Sequence, residues 1–133
     1  NEIKRLEAYL EDEYKLKAIL DGAKSITVLG SEEFNYVPIK LAEYIDSITD
    51  GNTGVYTHST TRSPIMVRSA FDYPLHTRYE VRSLYDKNRQ TYIYDLKKSD
   101  VLFLVTDGSD EEGEASVLEA IRLSGNENVY IIR

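Results

Sequence analysis

The order of apolar segments predicts an α/β protein built as a three-layer, mainly parallel sheet with an inserted β-hairpin and an N-terminal connector helix. Three observations carry this. Short, nearly continuous apolar runs at 25–30, 100–107 and 129–132 read as strands buried on both faces. Segments of helical period stand between them. Gly and Asp-Gly punctuation separates the two kinds.

Taken in order, Ile3, Leu6, Leu10, Leu16, Ile19 and Leu20 recur at roughly helical spacing, predicting one amphipathic helix over about 2–20. Asp21-Gly22 ends it, and its apolar stripe is expected to lie open or under another copy, as in an interdomain joint. Residues 1–22 are thus read as the connector and 23–133 as the α/β domain. Ser25-Ile26-Thr27-Val28-Leu29-Gly30 is a strand, Asn35 is the expected N-cap of the next helix, and Val37, Leu41, Tyr44, Ile45 and Ile48 are its apolar face. Residues 54–58 form the next strand, expected to be central. Residues 80–85 and 91–94 alternate around the turn Asp86-Lys87-Asn88-Arg89-Gln90, which predicts a hairpin. After the apolar run at 100–107, Ser109 and Glu112 offer a capping box for a helix bearing Ala115, Leu118 and Ile121. The sum is α-βαβ-(ββ)-βαβ, a Rossmann-like layer fold.

Composition narrows function. The 133 residues carry a net charge of −7 and no cysteine. That excludes disulfides and thiolate metal sites and disfavours nucleic acid as a partner. No apolar run reaches membrane-spanning length and no signal peptide opens the chain, which points to a cytoplasmic protein without a membrane partner. The charge is uneven. Six basic residues against three acids lie between His58 and Arg89, whereas eight acids and two arginines follow Ser99. A basic loop on an acidic body fits a small anion better than a nucleic-acid surface. The start at Asn1 and the end at Arg133 read as the bounds of a domain from a longer protein.

In an open α/β sheet the loops beyond the strand carboxyl ends line one crevice. The first such loop offers Gly30, Ser31, Glu32 and Glu33, the acids being placed either for sugar hydroxyls or as solvated helix-start residues. The second offers Ser59, Thr60, Thr61, Arg62 and Ser63. Their hydroxyls and guanidinium suit a phosphate or carboxylate, or else brace a turn. Arg62 is expected to face the crevice beside Gly30. The third offers Thr106, Asp107, Ser109 and Asp110 at a helix start; the aspartates cap, or chelate Mg²⁺ with a phosphorylated ligand. Gly-x-Gly-x-x-Gly, P-loop and nucleophile-elbow motifs are absent, His58 and His76 have no metal spacing, and no catalytic residue emerges. Among eleven tyrosines, Tyr36, Tyr44, Tyr79, Tyr85, Tyr92 and Tyr94 could stack on a base or line the core margin.

Two blocks at matching separation, Leu29-Gly30-Ser31-Glu32-Glu33-Phe34-Asn35-Tyr36-Val37-Pro38 and His58-Ser59-Thr60-Thr61-Arg62-Ser63-Pro64-Ile65, resemble the TRSP domain. Leu84-Tyr85-Asp86 is similar to a weaker third block, with Asp86 where Asn is expected. The resemblance implies a module following a phosphoribosyltransferase-like domain in bacterial proteins of tellurium-resistance and stress gene clusters. It therefore implies an upstream transferase partner and a nucleotide-like or sugar-phosphate ligand. It hands over no catalytic residue. The alternative is a non-catalytic interaction module docking the upstream domain.

Overall fold

The computed structural model describes residues 3–6, 13–49, 51–62 and 77–132. Its elements are β1 (Ile3–Leu6), α1 (Glu13–Leu20), β2 (Ser25–Gly30), α2 (Tyr36–Ile48), β3 (Gly54–Ser59), β4 (Arg78–Arg82), β5 (Gln90–Tyr94), β6 (Val101–Val105), α3 (Glu111–Leu123) and β7 (Val129–Ile132). Five strands form one parallel sheet in the order β1-β7-β6-β2-β3, and β4 and β5 form a separate antiparallel hairpin.

The strand period of two divides the core. Ile26, Val28, Val101, Phe103, Val105, Tyr130 and Ile132 point to one face, where Leu16 and Leu20 of α1 and Leu41, Ala42 and Ile45 of α2 meet them. Leu29, Leu102, Leu104, Val129 and Ile131 point to the other face. There they pack with Val117, Ala120 and Ile121 of α3 and with Val81, Leu84 and Ile93 from the hairpin region. Every residue of β6 and β7 is buried, as their unbroken apolar sequence requires.

Four expectations are corrected. The single helix over 2–20 is instead a strand and a shorter helix, with Leu10 outside the described residues. Residues 3–6 pair in parallel with 129–132, because buried β7 needs partners for its backbone on the side away from β6. Residues 54–59 are not central: among the described residues β3 ends the sheet, and β7 takes an inner position. Its mixed sequence fits an edge, with Tyr56 60% exposed. Asn35 does not cap α2 with its side chain; its Nδ2 donates to the Glu32 carbonyl at 2.9 Å. Finally, Asp110 rather than Ser109 caps α3, accepting from Gly113 N at 2.8 Å, while Glu112 pairs with Arg82.

Candidate functional site

From β2 the chain leaves through α2 toward β3, and from the neighbouring β6 it leaves through α3 toward β7 on the other side. The two helices lie against opposite core clusters. Loops that part in this way open a crevice above adjacent strand ends. The crevice has a volume of about 400 Å³ and is lined by Glu32, Glu33, Phe34, Arg62, Tyr85, Arg89 and Asp107.

Its floor is a chain of hydroxyls. Asp107 Oδ1 accepts from the Tyr85 phenol at 2.6 Å. Ser31 Oγ lies 2.7 Å from that phenol and 2.8 Å from Thr106 Oγ1, which accepts from Gly108 N at 2.9 Å. Since a carboxylate only accepts, one consistent set of donors runs from Gly108 N through Thr106, Ser31 and Tyr85 to Asp107. Burial, and then this bond to Asp107, raise the Tyr85 pKa above its usual value, so the phenol keeps its proton.

Glu32 is the centre of the wall. Its φ of 53° is left-handed backbone, which a residue with a Cβ adopts at a cost of about 1–3 kcal/mol and which clusters at functional sites. Surrounding bonds hold it there. Its N–H donates to Thr60 O at 3.1 Å and Thr60 Oγ1 at 2.9 Å. Its side chain is 5% exposed, with Oε2 accepting from Ser83 Oγ at 2.7 Å. Oε1 lies 2.9 Å from Arg89 Nη2 and 3.9 Å from Arg62 Nε. Arg62 also reaches Glu33 at 2.6 Å, a pair whose side chains are 51% and 84% exposed.

Two close approaches set the third wall. A Cβ on Gly108 would come within 2.7 Å of the Leu84 carbonyl oxygen, and one on Gly113 within 2.0 Å of the Ser83 carbonyl oxygen. Together with Asp110 N donating to Leu84 O at 3.0 Å, they bring α3 against 83–85 and aim Tyr85 at Asp107.

The expected residues are therefore distributed as follows. Glu32, Glu33, Arg62 and Asp107 line the crevice, Gly30 and Ser31 lie directly behind it, and Thr106 anchors its floor. Thr60 is buried as a brace, and Thr61 joins the hairpin through both backbone bonds to Tyr92, at 2.8 and 2.7 Å. Ser59 is the half-buried end of β3, and exposed Ser109 does not line the crevice. Ser63 and His76 lie outside the described residues. Sequence reasoning did not place Ser83 or Arg89 at the site, and it named Tyr85 as a stacking or core-margin ring and as part of the weaker Leu84-Tyr85-Asp86 block. Tyr92 and Tyr94 stack on each other, centroids 6.2 Å apart, away from the crevice lining. Among the described residues no three His, Asp or Glu side chains converge as a metal site would, and no helix is long and apolar enough to cross a membrane.

A family model described as the TRSP domain C terminus to PRTase_2 matches residues 1–121. No curated protein and no solved structure matches the chain.

Proposed function

The chain belongs to the TRSP domain family, and from that premise we propose that it is an accessory domain of a phosphoribosyltransferase-type protein that binds a phosphorylated sugar or nucleotide-like metabolite. The observation that carries this reading is the half-exposed Arg62 guanidinium at the crevice wall between β2 and β6, while Arg89 neutralises the buried Glu32 carboxylate beside it at 2.9 Å. Arg62 is held by the exposed Glu33, and an exposed pair is worth only about 0–1 kcal/mol, so an incoming phosphate can displace that carboxylate. The phosphate in turn accepts charge-assisted bonds of about 1.5–3 kcal/mol each. The acids at Glu32 and Asp107 suit the hydroxyls of the same ligand. Mg²⁺ accompanies the phosphate if Asp107 contributes to its hydration shell. A Rossmann-like arrangement of three layers is the frame that this reading assumes. The bacterial cytoplasm and the tellurium-resistance and stress setting come from the family resemblance alone and belong to the same proposal.

A thermal-shift screen against nucleotides, phosphoribosyl diphosphate and sugar phosphates tests it. A ligand of the folded state raises the melting temperature, and Arg62→Ala should weaken that ligand about tenfold to a hundredfold while the domain stays folded. No shift with any of them, or full binding by the variant, counts against the site. A second reading, the docking module, rests on exposed Tyr36, Ile39 and Tyr56 on α2 and the edge strand. It takes the lead if the upstream transferase domain binds the chain and Tyr56→Ser abolishes that binding.

A further inference from the structure

Of the polar groups in the crevice wall, the Glu32 carboxylate is the most deeply buried, and it is half used. Oε2 takes the Ser83 hydroxyl, but among the described residues Oε1 receives no hydrogen bond, although Arg89 Nη2 stands 2.9 Å away. The ion pair supplies charge without filling the acceptor. A buried carboxylate oxygen in that state is costly, and such groups are usually satisfied by something. It belongs to a residue whose side chain is 5% exposed and which lines the crevice. The left-handed backbone at Glu32, fixed by Thr60 and by the Asn35 amide, keeps the carboxylate in the wall. A partner for Oε1 must be a donor, because the atom carries negative charge. It must also be neutral or anionic overall, since the two arginines already occupy the cationic places beside it.

We propose that Glu32 selects ligands that bear a hydroxyl group: Oε1 is closed off from solvent, and Arg62, 3.9 Å from it and half exposed, uncovers it for that hydroxyl by turning to hold the anionic end. The substrate class is a polyhydroxylated, sugar-type phosphate rather than a bare alkyl or inorganic phosphate. This rests on the reading of the crevice as an anion site, and it adds the residue that distinguishes one anion from another. Sites built to bond a ligand hydroxyl reject the analogue that lacks it far more strongly than apolar pockets reject a missing methylene.

The test uses two probes of equal charge and equal ring: ribose 5-phosphate, and tetrahydrofurfuryl phosphate, which lacks the hydroxyls. Calorimetric titration of the unmodified chain should give at least about tenfold tighter binding of ribose 5-phosphate. In Glu32→Gln the acceptor becomes neutral, and charge-assisted bonds are roughly twice as strong as neutral ones, so the preference should fall several-fold. Binding of tetrahydrofurfuryl phosphate should then change little. Equal or tighter binding of the hydroxyl-free probe by the unmodified chain overturns the role of Glu32 and leaves the anion site standing. Failure of both probes to bind overturns both. Should Glu32→Gln not fold, Glu32→Asp, whose shorter side chain draws the carboxylate back from the hydroxyl, takes its place, and a preference as large as that of the unmodified chain overturns the role of Glu32.

Discussion

Gly113→Ala should destabilise the domain, although the same change in an ordinary helix stabilises it. Exposed helical glycines cost about 1 kcal/mol relative to alanine, so replacement normally gains that amount. Here the new Cβ would sit 2.0 Å from the Ser83 carbonyl oxygen and 2.7 Å from its carbon. Ordinary contact begins near 3.4 Å, so α3 and the segment at Ser83 must part by about 1.4 Å (3.4 − 2.0). Overpacking of this kind costs about 1–3 kcal/mol. The separation also strains the bonds from Asp110 N to Leu84 O and from Arg82 N to Ser116 Oγ, each worth about 1 kcal/mol. A net loss of about 2 kcal/mol follows, roughly 8 °C of melting temperature for a domain of this size. Ser83 carries the hydroxyl that holds Glu32, so ligand binding should weaken with it. Differential scanning calorimetry beside Gly51→Ala, whose added Cβ meets nothing within 4 Å, separates the clash from general helix and loop effects. A Gly113→Ala protein as stable as the parent would refute the close approach of α3 to Ser83, and with it the placement of Tyr85.

The two crevice arginines should behave differently. Arg62→Ala removes a pair with the exposed Glu33 and should cost less than about 1 kcal/mol in urea unfolding. Arg89→Ala leaves the buried Glu32 carboxylate without its nearest cation and should cost about 3–5 kcal/mol; equal costs would contradict the burial argument. His58 gives a pH signature. Burial lowers its pKa below 6.5, opposed by its bond to Tyr94 O at 2.6 Å and by Asp95. The unfolded chain therefore takes up the proton first, so stability is intact above about pH 6.5 and declines as pH falls toward the folded pKa. His58→Gln should flatten that decline between pH 6.5 and 5, measured by urea midpoints, and an unchanged slope would place the titration elsewhere.

What could be read from the sequence was what local pattern determines. Continuous apolar runs identified β2, β6 and β7, and alternation around Asp86–Gln90 identified the hairpin. The N-terminal segment misled because its apolar spacing is helical, while the need for a strand arises from the bare side of β7, more than a hundred residues away. Asn35 and Ser109 have the right chemistry for caps, but Glu32 and Asp110 were set by the loops they close. The loops after β2, β3 and β6 were found because a parallel sheet always gathers them at one end. Tyr85, Ser83 and Arg89 were not, since they enter through a hairpin that docks by tertiary packing on α3. The block Leu84-Tyr85-Asp86 was the one local signal of that wall.

The central claim, that the crevice above β2 and β6 is the ligand site, is tested most directly by mapping amide shifts in a ¹⁵N-labelled chain during titration with ribose 5-phosphate. The account predicts shifts concentrated at Ser31–Phe34, Thr61–Arg62, Leu84–Arg89 and Thr106–Gly108, lost in Arg62→Ala. Shifts centred instead on Tyr36, Ile39 and Tyr56, or a spectrum unchanged at saturating ligand, would contradict it.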